Sequence, residues 1–132
     1  MYLVDTNVWL ERLPHQTSSE EVGNFLDNTP SEHLFMTDFA FHSIDVVMIR
    51  LNRADGLLRF VQDAFIGGDV GPICVEPEDM EGLVGVTRRL DLDLDDAYQY
   101  AAAEEHQMAI VSFDGDFDRT ELGRKSPAEA LA

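Results

Sequence analysis

Hydrophobic residues fall into short blocks along this chain, and two different periods alternate between them. Met1-Tyr2-Leu3-Val4 is a continuous apolar block that breaks at Asp5-Thr6-Asn7. Leu34-Phe35-Met36-Thr37, Ile73-Cys74-Val75 and Met108-Ala109-Ile110-Val111-Ser112-Phe113 are blocks of the same kind. Short continuous runs like these predict strands buried on both faces. The segments between them have a helical period. Asn7 to Leu13 predicts a short helix stopped by Pro14. Ser18 and Glu21 have capping-box spacing ahead of Val22, Phe25 and Leu26, in a helix that should end near Asn28-Thr29-Pro30. Asp38 to Asn52 predicts a long helix. Its apolar stripe is Ala40, Ile44, Val47 and Leu51, widened by Phe41 and Met48, with Asp38, His42 and Asp45 opposite.

Later segments continue the alternation. Leu57 to Phe65 predicts a helix closed by Gly67-Gly68. Pro77, followed by Glu78, Asp79 and Glu81, suits the first turn of a helix reaching about Leu90. The alanine-rich stretch from Ala97 to Glu105 has strong helix propensity, and Ser126 to Leu131 suggests a short terminal turn. Strands alternating with helices predict an α/β fold with a mostly parallel central sheet flanked by helices. No repeat, low-complexity tract or linker marks a boundary, so residues 1–132 read as one domain.

Charge changes the picture. The chain has 26 acidic residues against 9 basic ones, a net charge of −17, and its single lysine is Lys125. Such a surface repels polyanions and, taken alone, argues against nucleic-acid binding. A high-salt solvent or a basic partner would each account for it. No apolar run approaches the roughly 20 residues of a membrane helix, and Met1 opens directly into a strand. The chain therefore reads as cytoplasmic, with no membrane contact. The lone cysteine, Cys74, is expected to be a buried small hydrophobe.

Candidate chemistry sits where apolar blocks end. Asp5 follows the first block and Asp114 the last, and in a parallel sheet ligands bind beyond the carboxyl ends of the strands. Asp96 opens the alanine-rich helix, and Asp116 lies two residues past Asp114. Each acid also has a structural reading. Asp5 can cap the next helix, Asp96 can belong to a solvated acidic loop with Asp91, Asp93 and Asp95, and Asp114 can be a turn residue that Gly115 permits. Asp116 and Asp118 can cap Phe117 and the residues after it. If the carboxylates do converge, they require a cation. Oxygen donors without a zinc-spaced Cys/His cluster favour Mg²⁺ or Mn²⁺ over zinc. Such an ion can lower the pKa of a bound water and stabilise charge on a phosphodiester oxygen, which suits phosphate-ester hydrolysis.

These residues resemble a known family. Leu3-Val4-Asp5-Thr6-Asn7-Val8 is similar to the opening of PIN domains. Asp96-Ala97 with its alanine-rich helix resembles their third motif, and Ser112-Phe113-Asp114-Gly115-Asp116-Phe117 their closing signature. Ser-Pro-Ala-Glu-Ala-Leu at the end is also typical. The resemblance covers nearly the whole chain. It implies a metal-dependent ribonuclease, with small relatives often acting as toxins paired with an antitoxin protein, and homodimers frequent among them. It further implies metal-ligand roles for Asp5, Asp96 and Asp114, with Asp116 as a fourth, an RNA substrate, and a supporting hydroxyl at Ser112.

The chain departs from the family at one motif. A glutamate usually lies early in the helix after the second strand, and Thr37-Asp38-Phe39-Ala40-Phe41-His42-Ser43-Ile44-Asp45 contains none. By register His42 is the nearest stand-in, next to Ser43. Asp38 or Asp45 could supply the acid from a turn away, or His42 could act as ligand or general base. Alternatively, the site is weakened and the chain is an RNA- or protein-binding regulatory module. A lone histidine in an apolar helix is more often structural. His15 and His33 read as surface groups near loops, and His106 as a helix end, where a cation is favourable. Trp9, Phe35, Phe41, Phe60 and Phe65 read as core. Arg50, Arg53, Arg59, Arg88 and Arg89 read as surface ion pairs or phosphate contacts. A receiver-type or phosphatase-like aspartate site would need a nearby lysine, and Lys125 lies past the last motif.

Overall fold

All four apolar blocks become strands, some with shifted ends, in a computed structural model that describes residues 1–13 and 18–132. They are β1 (Tyr2–Val4), β2 (Leu34–Thr37), β3 (Gly71–Ile73) and β4 (Ala109–Val111). They form one sheet in the order β3-β2-β1-β4, and every pairing is parallel. The helices are α1 (Thr6–Arg12), α2 (Ser19–Asp27), α3 (Asp38–Arg50), α4 (Ala54–Val61), α5 (Met80–Leu90), α6 (Leu94–His106) and α7 (Pro127–Leu131).

Successive residues of a strand point to opposite faces, so each short strand feeds two cores. Val4 and Val111 pack with Val8, Phe25, Ala40 and Ile44 from α1, α2 and α3. Leu3 and Ile110 pack with Leu83, Ala97, Tyr100 and Phe117 from α5, α6 and the turn after β4. Trp9 and Phe60 are buried, while Phe35, Phe41 and Phe65 pack at the core margins.

The order places a topological switch between β1 and β4. From β1 the chain crosses to β2 and then β3 on one side, while β4 returns on the other. A crevice forms beyond the carboxyl ends of two strands whose connections leave in opposite directions. Val4 pairs with Val111, so those two strand ends are level.

Several expectations are corrected. Strand β3 begins two residues early, at Gly71, a position that admits no side chain because an added Cβ would lie 2.6 Å from the Phe35 ring. Pro72 is tolerated because β3 is an edge strand. Cys74 therefore leaves the sheet half-buried, with its thiol 3.2 Å from Glu76 Oε1. The buried stripe of α3 is Ala40, Ile44 and Met48; Leu51 is 49% exposed because the helix stops at Arg50. Helix α4 starts at Ala54 and runs on into a single π turn, Gln62–Ile66. Ser18 makes no side-chain cap, and its N–H, which a capping box would pair with Glu21, donates instead to Glu11 Oε2 at 2.9 Å. Glu21 is drawn away to accept the Ala128 N–H at 3.0 Å. The capping box occurs at the other end of the chain, between Ser126 and Glu129 of α7. Pro14 and His15 lie outside the described residues.

Candidate active site

Asp5 is the first residue past β1, and its position is fixed from both sides. Its N–H donates to Val111 O at 2.9 Å, extending the β1–β4 ladder. Its Oδ1 accepts the Thr6 N–H at 2.8 Å, which makes it the N-cap of α1. Capping and a cleft role are thus compatible, since a carboxylate has about four acceptor sites.

Ser112, fully buried just past β4, is the hub. Its hydroxyl donates to Asp5 Oδ2 at 2.7 Å. The same oxygen accepts from Asn7 Nδ2 at 3.2 Å and from the Asp114 N–H at 2.9 Å. Asn7 Oδ1 in turn accepts the Phe113 N–H at 3.2 Å. Asp114 then caps a 3₁₀ turn, Gly115–Arg119, with Oδ1 accepting the Asp116 N–H at 2.8 Å. The fully buried Phe117 ring anchors that turn in the core.

Helix α6 supplies Asp96 and, one turn later on the same face, Gln99. Buried Gln99 donates through Nε2 to Asp5 Oδ1 at 3.0 Å. Its Oε1 accepts the hydroxyl of Thr37, which also caps α3 by accepting the Ala40 N–H at 3.0 Å. One buried chain of hydrogen bonds therefore ties β2, α3 and α6 to Asp5.

The result is a cleft of about 250 Å³. Asp5, Asn7 and Asp114 line it from the β1/β4 side, Asp95, Asp96 and Gln99 from α6, and Phe39 and Ser43 from α3. Oxygens of Asp96, Asp114 and Asp116 lie within 4.8 Å of one another. Asp116 is exposed and sits 3.4 Å from Arg119 Nη1. The acids also sense one another. Burial, then the nearby Asp114 charge, push the Asp96 carboxyl up to about 7. Burial also raises Asp5 above the ordinary carboxylate range, against the opposing bonds from Ser112, Gln99 and Thr6.

Unneutralised carboxylates this close favour a cation. The donor set consists of carboxylate oxygens, and among the described residues no histidine or cysteine lines the cleft. Such a set fits a hard, oxygen-seeking divalent ion.

The structure thus brings Asp5, Asp96 and Asp114 into one cleft, with Asp116 joining the last two. His42 does not line it. A helix turns about 100° per residue, so the position next to His42, Ser43, is the one that faces the carboxylates together with Phe39. His42 is instead exposed, with Nδ1 3.6 Å from Asp45 Oδ2. Asp38 accepts the Tyr98 hydroxyl at 2.8 Å outside the cleft. Helix α3 therefore contributes no carboxylate to the cleft lining. Sequence reasoning missed Gln99 and Thr37 as supports; the i, i+3 spacing of Asp96 and Gln99 was the available signal.

Fold and site together define an α/β protein with an acidic cleft at its switch point. A model of the PIN domain matches residues 2–122, and the chain belongs to that family. Curated protein sequences give no match. Among solved structures, a toxin–antitoxin complex from Klebsiella pneumoniae aligns with a TM-score of 0.77 at 18% identity, over 98% of this chain and 99% of that one. FitAcB from Neisseria gonorrhoeae aligns at 0.71 and 20% identity, over 96% and 98%. A sarcin–ricin-loop-cleaving VapC toxin of Mycobacterium tuberculosis aligns at 0.78 and 15% identity, over 92% and 95%. At these identities the likeness is one of fold.

Proposed function

We propose that this chain is a PIN-type endoribonuclease that hydrolyses RNA phosphodiester bonds with Mg²⁺ or Mn²⁺, and that it is the toxin of a toxin–antitoxin pair. The observation that carries this reading is the convergence of Asp96, Asp114 and Asp116 in front of a rigidly held Asp5. The structural neighbours described as toxin–antitoxin proteins support the pairing. Residues 1–132 act as one domain, in the cytoplasm, as a homodimer with an antitoxin protein as partner. Among the described residues no helix is long and apolar enough to cross a membrane.

Asp96, Asp114 and Asp116 would hold the ion, with Asp5 completing the negative wall. When bound, the ion supplies charge stabilisation at the phosphodiester oxygens and activates water at neutral pH. Ser112 and Gln99 keep the Asp5 carboxylate in one orientation, so the wall needs no rearrangement when substrate arrives. Neutralising that wall also offsets the repulsion that a net charge of −17 imposes on RNA.

The direct test is a ribonuclease assay with Mn²⁺ on the parent, Asp96→Asn and Asp114→Asn. Cleavage is expected to fall at least a hundredfold in both variants while the folded circular dichroism spectrum is retained. Parent-like cutting by both would remove the site assignment. A second reading follows from Ser43, which stands on the cleft wall where no α3 carboxylate reaches. Under it the site is weakened, and the chain is an RNA- or protein-binding regulatory module. Calorimetry with Mn²⁺ separates the two, because a parent that neither takes up metal nor cuts belongs to the second.

A further inference from the structure

Next to the acidic cleft lies a second hollow, of about 540 Å³, lined by Asp38, Phe39, His42, Ser43, Val46, Val47 and Tyr98. Phe39 and Ser43 line both spaces, so the two adjoin along the first turns of α3. Valines and aromatic rings form most of its wall. The Phe39 and Tyr98 rings lie 5.3 Å apart and tilted by 35°, which makes one extended aromatic surface. That surface is rigid, because the Tyr98 hydroxyl donates to Asp38 Oδ1 at 2.8 Å and accepts the Val75 N–H at 2.9 Å. Asp38 Oδ1 also accepts the Phe39 N–H at 2.9 Å. Among the described residues these bonds fall on Oδ1, which leaves Oδ2 of this hollow-lining carboxylate as an unused acceptor.

We propose that this hollow is a nucleobase subsite, which takes one unpaired base of an RNA strand whose phosphodiester lies at the carboxylates. The proposal rests on the ribonuclease reading for its substrate class, and on the hollow alone for its place. Three features favour a base over an apolar protein segment. The hollow shares Phe39 and Ser43 with the acidic cleft, so a base held there lies one nucleotide's reach from the carboxylates. Its wall carries a fixed aromatic pair, on which any base can stack. Its rim carries polar groups (Asp38, His42, Ser43) suited to the edge of a flat heterocycle. Since Asp38 offers an acceptor, bases with an exocyclic amino group (adenine, cytosine and guanine) bind better than uracil, and adenine and cytosine are the two taken as probes.

Neutral nucleosides isolate this subsite from phosphate repulsion and from metal. Adenosine, cytidine and uridine are titrated into the unaltered protein while valine methyl and aromatic resonances are followed by NMR. Saturable shifts are expected at Val46, Val47, Phe39 and Tyr98, with adenosine and cytidine ahead of uridine. Val46 touches the hollow and not the cleft, so Val46→Glu is expected to abolish the shifts without altering the carboxylates. Phe39→Leu keeps the site apolar and weakens adenosine roughly tenfold, the order of one lost aromatic stack. Asp38→Asn keeps the acceptor used by Tyr98 but turns the rim acceptor into a donor, so the preference for adenosine over uridine narrows or inverts. A merely structural Asp38 would leave that ratio unchanged.

Three results overturn the proposal. One is nucleoside shifts absent from the hollow. Another is equal affinity for all three nucleosides in both parent and Asp38→Asn. The last is a concentration-dependent shift of the Val46 and Val47 methyl resonances that nucleosides do not displace, which assigns the face to a second copy, whereas a homodimer formed through another face leaves these methyls free for the base. None of these touches the metal-dependent cleavage assay, so failure here and failure of the nuclease reading are told apart.

Discussion

At the scale of single residues, the site is a balance between burial and hydrogen bonding. Asp5 is nearly buried, yet three donors hold it: Thr6, Gln99 and Ser112. Asp96 lacks such support and faces Asp114, which leaves its carboxyl at about 7 against an ordinary 3.8. The direction of the pH dependence is set by that difference. Between those values the folded state binds more protons than the unfolded one, so the stability of the metal-free protein falls as pH rises from about 4 to about 7. Asp5 acts in the same direction. Urea unfolding in a chelator across that window is expected to show the slope, and Asp96→Asn to reduce it. Added Mn²⁺ favours the ionised carboxylates and is expected to flatten it; an unchanged slope would detach Asp96 from the ion. At this scale Asp5, Asp96 and Asp114 were legible as strand-end and helix-start acids. Gln99 shares a helix face with Asp96 by its i, i+3 spacing, but its bonds to Asp5 and Thr37 cross between elements and were not legible, nor was the role of Thr37.

At the scale of elements, the decisive fact is how short strands are anchored. Strand β4 has only three residues, and the turn carrying Asp114 and Asp116 leaves it at once. Phe117, fully buried against the α5/α6 core, fixes that turn. Phe117→Ala is expected to cost about 3–5 kcal/mol of stability, as for other large core deletions. It should also weaken Mn²⁺ binding under conditions where the protein remains folded, as read by denaturant melts and calorimetry. Parent-like stability would mean the turn is held by its hydrogen bonds alone. The helix period of α3 was legible, but its register against the cleft was not. A one-residue difference, about 100° of rotation, exchanges His42 for Ser43. The capping box was assigned to Ser18 and Glu21, but the chain builds it at Ser126 and Glu129. Glu21 has a distant competitor, the Ala128 N–H, which local spacing does not reveal.

At the scale of the whole molecule, charge dominates. A net charge of −17 on 132 residues repels itself, and most of the acids are spread over the surface. Melting temperature is expected to rise from low to molar KCl as that repulsion is screened, by on the order of 5 °C for each kcal/mol removed. A flat profile in calorimetric scans would show that the acids are already compensated locally. Arg89 illustrates such compensation, pairing with Glu121 at 3.0 Å and Glu104 at 3.8 Å, and Arg124 does the same with Asp118 at 3.0 Å. Among the described residues many acids have no such pair, and Asp5, Asp96 and Asp114 in the cleft are the sharpest instance.

The sequence by itself determined the element types, the α/β class and the strand-end carboxylates. Apolar runs and helical periods are local properties, and so is an acid placed where a run stops. Tertiary structure alone decided the strand order, and with it the adjacency of β1 and β4 that brings Asp5 within reach of Asp96 and Asp114. It also decided which face of α3 meets the cleft and which partners hold Asp5. Those outcomes depend on packing between segments a hundred residues apart, and the energy of that packing is written in no single stretch of chain.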